Sequence, residues 1–378
     1  MKNITASVPA GLLPQAAALE VKRIRHSYGG APALNDVSFT VPAGGVAALL
    51  GPSGCGKSTM LRVIAGLIQP AHGSVWLGGR DLSAVPARER RIGMVFQSYA
   101  LFPHMSVREN VAYGLSSQQL SRDERQGRVS EMLNLVQMGH LADRMPRELS
   151  GGQQQRVAVA RALAMRPTAI LLDEPFAALD RALRADLQAE FVTMQRKLGI
   201  TAILVTHDQE EAQAVADTLI VMNKGSVEQI GTPAELYDRP NTPFVNAFIG
   251  QSSVMAGTVV ASEVNDYRIR LAAGAELVLP RPPAFLQGSE VLVSLRPEQV
   301  RLVAGPQAGS LPATCLQSVV QGADVLHRLA LADGSVLLAR QPREASAPEL
   351  STNQVHAVID THLCKVFPAE AASPAAVH

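Results

Sequence analysis

The chain has 378 residues, 47% of them apolar, with a net charge of +1 and three cysteines. That length allows two or three domains with ample core, and the apolar fraction excludes a disordered chain. The near-neutral charge gives no ground for nucleic acid as a partner or for electrostatic membrane binding, while Cys55, Cys315 and Cys364 are too few and scattered for a disulfide framework or thiolate metal site, so a reducing cytoplasm is expected.

Residues 1–18 form an extension rich in Ala and Pro, its apolar stretch broken by Pro9 and Pro14 and its single charged side chain Lys2. It makes a poor signal peptide and is expected to be flexible. No run approaches the ~18 apolar residues of a membrane span, so any membrane association is expected through a partner protein. Residues 19–24 and 37–41 alternate apolar and polar side chains, which predicts half-exposed antiparallel strands joined through Gly29-Gly30. Tyr28, just ahead of that turn, suits either a core position or a flat platform for a base.

The apolar run Val46, Ala47, Ala48, Leu49, Leu50 leads into Gly51-Pro52-Ser53-Gly54-Cys55-Gly56-Lys57-Ser58-Thr59, and Met60, Leu61, Val63, Ile64 and Leu67 follow at helical spacing. Strand, glycine-rich turn and helix are the context of a phosphate-binding loop. Glycines let backbone N–H groups curl around an anion, and the helix N-terminus adds unpaired donors and its dipole. Lys57 is then expected to reach the β- and γ-phosphates and the Ser58 hydroxyl to ligate Mg²⁺. Cys55 reads either as a small residue that fits the loop or as a reactive thiol, its pKa lowered by the helix N-terminus and Lys57.

Short strands are expected at 73–77, 81–82 and 91–96, the last ending at Gln97. From Val107 to Ala164 the pattern turns helical, as in Val129, Met132, Leu133 and Val136, which predicts a helical subdomain over about 98–165. Within it, Ser150 is a natural N-cap, and Gly151, Gly152 and Gln153 open the next helix. That start is an ordinary capped helix or a second anion site.

Ala169 to Leu172 reads as a buried parallel strand delivering Asp173 and Glu174 at its C-terminal end, where open α/β sheets bind ligands. A helix over 180–198 and a second buried strand, Ala202 to Thr206, follow, and the latter delivers His207 to the same edge. A hairpin closes through Lys224-Gly225. Past Gly250 short alternating strands and turns at Asn265-Asp266, Gly288, Gly305 and Asp333-Gly334 predict a small OB-like β-barrel.

Taken together, the chain resembles the ATP-binding subunits of ABC transporters from about Leu19 onward. Gly51 to Thr59 matches the family's Walker A, Gln97 its Q-loop, Leu149 to Gln153 the signature LSGGQ, Ile170 to Glu174 Walker B, Asp180 the D-loop and His207 the switch histidine. The resemblance implies a P-loop NTPase fold: a mixed-sheet core with an antiparallel β subdomain and a helical subdomain, spanning 19–249. A β-rich domain over 250–366 and a disordered tail over 367–378 complete the expectation. It implies Tyr28 as the adenine platform, Glu174 as the residue activating water, and His207 and Lys57 at the γ-phosphate. Ser58, Gln97 and Asp173 would hold Mg²⁺. Ser150 to Gln153 would act in trans, in a head-to-tail homodimer that ATP closes and hydrolysis resets.

The stretch Gln97 to His104 resembles the importer branch, and Tyr99, Leu101 and Phe102 either line a groove for a permease helix or pack within the helical insert. The tail, with Leu295-Arg296-Pro297-Glu298, resembles the TOBE domains of maltose, polyamine, sulfate, ferric iron and phosphonate importers. An import ATPase on the cytoplasmic face of the inner membrane is therefore expected, bound to permease subunits and indirectly served by a periplasmic solute-binding protein. The alternative is a soluble ABC ATPase acting without a permease.

Overall fold

A computed structural model describes residues 16–177, 181–262, 266–280, 285–307, 309–343 and 353–371. It divides into two units, Met1–Ala234 and Glu235–His378.

The first unit opens with β1 (Leu19–Tyr28) and β2 (Ala31–Val41), antiparallel partners turning through Gly29 and Gly30, whose φ values of 54° and 92° suit glycine. Leu19, Val21, Ile24, Val37, Phe39 and Val41 are buried, and the residues between them are largely solvated. Next come β3 (Val46–Leu50), α1 (Lys57–Ala65), β4 (His72–Leu77), β5 (Arg80–Asp81) and β6 (Ile92–Val95). A helical insert follows, with α2 (Val107–Ala112), α3 (Arg122–Leu135) and α4 (Gly151–Ala164). Each of its helices begins at a serine in a capping box: Ser106 with Glu109, Ser121 with Glu124, Ser150 with Gln153. The core then resumes with β7 (Ala169–Asp173), α5 (Arg181–Leu198), β8 (Thr201–Val205), α6 (Gln209–Val215), β9 (Thr218–Asn223) and β10 (Ser226–Gly231).

These strands make two sheets, β2-β1-β4-β5 and β10-β9-β3-β8-β7-β6. Within the second, β9, β3, β8, β7 and β6 run parallel. Every residue of β3 and β8 is buried, as expected for strands covered on both faces. One apolar cluster joins Val21, Ile24 and Phe39 of the antiparallel sheet to Leu49, Leu171 and Ile203 of the parallel one.

Among its described residues the second unit is β-rich, with most of α7 (Pro233–Asp238) at its start, α8 (Pro243–Phe248) and three single-turn 3-10 helices. Its strands are β11 (Ser253–Ser262), β12 (Asp266–Leu271), β13 (Glu276–Pro280), β14 (Glu290–Leu295), β15 (Val300–Val303), β16 (Ser310–Gln321), β17 (Asp324–Ala330), β18 (Val336–Pro342), β19 (Gln354–Ile359) and β20 (Lys365–Pro368). They form two antiparallel sheets, β13-β12-β11-β14-β20 and β15-β19-β16-β17-β18, around one OB-like core.

The structure departs from expectation at three places. The units divide after Ala234 rather than at Gly250. The physical reason is Arg296, whose guanidinium lies 4.2 Å over the Tyr237 ring and donates to the Asn246 carbonyl at 2.9 Å, so it ties α7 and α8 to the β-rich unit. The tail expected to be disordered from residue 367 is a strand there instead. β20 pairs with β14, and Phe367 is buried opposite Leu292. At the other end, Ala17 and Ala18 are held by Thr201 Oγ1 (2.7 Å) and the Gly78 amide (2.8 Å), so order begins before Leu19. Residues 1–15 and 372–378, and Asn265 of the expected turn, lie outside the described residues.

Candidate nucleotide site

The parallel sheet explains why distant residues meet. Leu49 of β3 is level with Val205 of β8, Val205 with Asp173 of β7, and Leu172 with Val95 of β6. Four adjacent strands therefore end together, and the segments leaving them carry the Gly51–Thr59 loop, His207, Glu174 and Gln97. This is the carboxyl edge at which open α/β sheets bind ligands.

The loop is tightly seated. A Cβ on Gly51 would lie 2.2 Å from the Met222 carbonyl oxygen, and one on Gly56, at φ 105°, would lie 2.6 Å from that of Ala33. Gly56 is also the N-cap of α1, where no side chain caps the helix and no acidic residue occupies the first turn. The exposed amides are left for an external anion. Lys57 is buried, and its Nζ donates to the carbonyls of Gly51 (2.7 Å) and Pro52 (3.0 Å). Its remaining contact is to Cys55 Sγ at 3.8 Å, and among the described residues no carboxylate is bonded to it, which suits an anionic ligand.

Cys55 corrects an expectation. It is buried beneath the loop, and burial pushes its thiol above the ordinary value, outweighing the attraction of Lys57. It reads as an inert packing residue and not as a reactive thiol.

At the ends of β7 and β8 a set of polar side chains forms around Glu174. Its Oε2 accepts from Gln97 Nε2 at 2.7 Å, and its Oε1 lies 3.2 Å from His207 Nδ1. The Glu174 backbone sits at φ 46°, a left-handed conformation uncommon outside glycine, and its amide donates to Val205 O at 2.8 Å. Strain of this kind clusters at working sites. Asp173 is half-buried, and burial together with Glu174 pushes its carboxyl above the ordinary value, while Arg62 and Lys57 pull it back.

Ser58, Gln97 and Asp173 offer a hydroxyl, an amide and a carboxylate, all oxygen donors. No cluster of three His, Cys, Asp or Glu that could cage a metal exists among the described residues. That sparse set fits Mg²⁺, which keeps waters and takes further ligands from substrate phosphates.

The remaining expected residues stand apart. Ser150 Oγ caps α4 by accepting from the Gln153 amide at 3.4 Å, and Ser150 is exposed. Among the described residues no hydrogen bond joins Ser150 to Gln153 with the loop of the same chain. Tyr28 is 50% exposed at the end of β1, edge-on to His26. Asp180 lies outside the described residues. Tyr99 is buried with its hydroxyl on the Pro175 carbonyl at 3.4 Å, so of the three groove residues only the half-buried Leu101 and Phe102 are available to a partner. Sequence reasoning missed Glu211, buried on α6 behind His207. The signal was present, because Glu211 lies four residues before the buried Val215 and next to Ala212 on the inner face of α6.

The ABC transporter family matches residues 34–177 and the TOBE domain family residues 293–364. The chain is similar to the sulfate/thiosulfate import ATP-binding protein of Synechococcus elongatus, 45% identical over 87% of this chain and 90% of that protein. It is equally similar, at 45%, to the spermidine/putrescine import ATP-binding protein of Pseudomonas fluorescens, over 87% of this chain and 92% of that one. The Fe(3+) ions import ATP-binding protein of Brucella abortus is 43% identical over 86% and 92%. Among solved structures, a dimeric ATP-binding cassette holding ADP and Pi matches with TM-score 0.52 at 34% identity, over 57% of this chain and 98% of that chain.

Proposed function

This chain belongs to the ABC transporter family of ATP-binding proteins, and on that premise we propose that it hydrolyses ATP to drive solute import through a partner permease. The observation that carries the reading is the convergence of Lys57, Gln97, Glu174 and His207 at one edge of four adjacent parallel strands.

In this reading the loop amides and Lys57 receive the triphosphate, with Lys57 Nζ leaving the Gly51 and Pro52 carbonyls for phosphate oxygens, and Tyr28 stacks on the adenine. Glu174 is the general base. Gln97 and His207 each hold one of its oxygens, which fixes the carboxylate plane and leaves a lone pair to take the proton of the attacking water. Ser58, Asp173 and Gln97 would hold Mg²⁺, which would neutralise charge on the phosphates. His207 faces the γ-phosphate side, and its contact with Glu174 couples phosphate recognition to the base.

The signature contributes from another subunit. Ser150 opens a helix with no acidic residue in its first turn, so its N-terminus suits the far side of a phosphate held by a partner's loop. A head-to-tail homodimer then buries two nucleotides.

No helix among the described residues is long and apolar enough to cross a membrane, so attachment to the inner membrane would come through the permease, with Leu101 and Phe102 as contact candidates. Relatives named for three solute classes stand at 43–45% identity, so identity does not separate the solutes, and in this reading the permease and a periplasmic binding protein choose among them. Two measurements test the proposal: ATP turnover by the purified chain, and its co-purification with an integral-membrane partner. Turnover without such a partner would favour a permease-free ATPase, and no turnover would defeat both.

A further inference from the structure

We propose that Glu211 is a positioning residue for hydrolysis, fixing in its neutral form, through Thr206, the turn that holds His207 against Glu174. The inference rests on the roles given to Glu174 and His207 above.

Thr206 and Glu211 are 1% and 2% exposed. The Thr206 hydroxyl donates to Glu211 Oε2 at 3.0 Å and accepts from the Asp208 amide at 3.0 Å. Its proton and a lone pair are thus both committed, and the backbone of residues 206–208 is clamped on the two sides of His207. Asp208 Oδ1 completes the clamp by capping α6 through the amides of Glu210 (2.9 Å) and Glu211 (3.2 Å). His207 itself is solvated and rests on Glu174 Oε1. Its orientation therefore depends on what stands behind the turn, and that is Glu211.

The second oxygen, Glu211 Oε1, is buried without a hydrogen-bond partner. A carboxylate given one donor for two oxygens and almost no water is poorly stabilised as an anion. The charged groups facing it are Asp208 at the start of α6, Arg184 from α5 and His207 in the turn. Arg184 Nη1 is bonded to Asp208 Oδ2 at 2.7 Å, so that cation is largely balanced before it reaches Glu211. Burial, with Asp208 adding to it, accordingly pushes the carboxyl up to about 7. When Glu211 loses its proton to solvent, the new charge draws on Arg184 or His207. Either movement pulls on the turn and takes His207 from Glu174.

The test compares wild type with Glu211→Gln, the neutral isostere, and Glu211→Ala. The readouts are kcat and ATP affinity from about pH 6 to 9, and the unfolding midpoint without nucleotide over the same range. The kcat of Glu211→Gln relative to wild type is expected to rise at least about fivefold from pH 6 to 8.5, with ATP affinity unchanged. Glu211→Ala is expected to lose about tenfold in kcat at every pH. The midpoint of Glu211→Gln should move above that of wild type as pH rises. A folded-state value above the ordinary 4.5 means that Glu211's contribution to stability is full below that value and is lost as pH rises through about 7.

A Glu211→Gln to wild-type kcat ratio constant with pH overturns the positioning role, whatever the midpoints do. If Glu211→Ala does not fold, the Gln comparison alone decides. A midpoint gap independent of pH overturns the neutral form, and this arm needs no ATP turnover. A wild type that hydrolyses nothing instead defeats the functional reading itself.

Discussion

Replacing Glu174 by Gln changes one oxygen into an amide nitrogen and little else. The wild-type carboxylate accepts from Gln97 Nε2 at 2.7 Å on one oxygen and has His207 Nδ1 3.2 Å from the other. A glutamine has one oxygen to offer, so one neighbour faces an N–H group and the set loses a contact as well as its proton acceptor. Loss of general-base catalysis costs typically 10²–10⁴ in rate, or about 2.7–5.4 kcal/mol of barrier. The Gly51–Thr59 loop is untouched, so ATP affinity should stay within about threefold of wild type, equivalent to less than ~0.7 kcal/mol. Glu174→Gln should therefore bind ATP, accumulate the closed dimer and turn over at least about a hundredfold more slowly. Phosphate release and size-exclusion chromatography with and without ATP measure both properties. Turnover within about threefold of wild type would refute the assignment of Glu174 as base, since a lost base cannot cost so little.

Lys57→Ala should weaken nucleotide binding or hydrolysis within its own subunit, which titration of a fluorescent ATP analogue reads directly. Ser150→Ala removes the cap of α4, a loss of about 0.5–2 kcal/mol that thermal unfolding will register. It should leave ATP binding to the monomer intact while impairing the closed dimer; an equal loss of monomer binding in both variants would contradict the shared site. Cys55 should resist alkylation near neutral pH with or without MgATP, because its thiol is buried and its pKa raised; rapid labelling of the folded protein would show the loop to be more open.

What could be read from the sequence was local chemistry. The segment Gly51 to Thr59 carries its turn, its helix start and its lysine within nine consecutive positions, and the apolar runs before Asp173 and His207 announce buried strands without help from elsewhere. What could not be read depends on partners far along the chain. Proximity of Cys55 to Lys57 argued for an acidic thiol, but the burial that reverses the sign comes from packing of the whole loop. Gln97 meets Glu174 across 77 positions. Phe367 is ordered because Leu292 lies opposite, and nothing near Phe367 in sequence says so. Tyr99, apolar and flanked by Leu101 and Phe102, gave no sign that its ring alone turns inward beneath Pro175.

The strand order has a consequence for biosynthesis. β3, which feeds the nucleotide loop, lies between β8 and β9, and the Gly44 amide just before it bonds to Thr201, 157 residues later. At roughly 5–20 residues per second, a ribosome delivers β3 about 8–30 s before either neighbour exists. Until then this apolar strand has two unpaired edges and the loop has no Met222 behind it. A nascent chain halted before Asn223 should therefore fail to retain ATP and attract chaperones. The first nucleotide captured marks the moment when the last strand of the parallel sheet has joined.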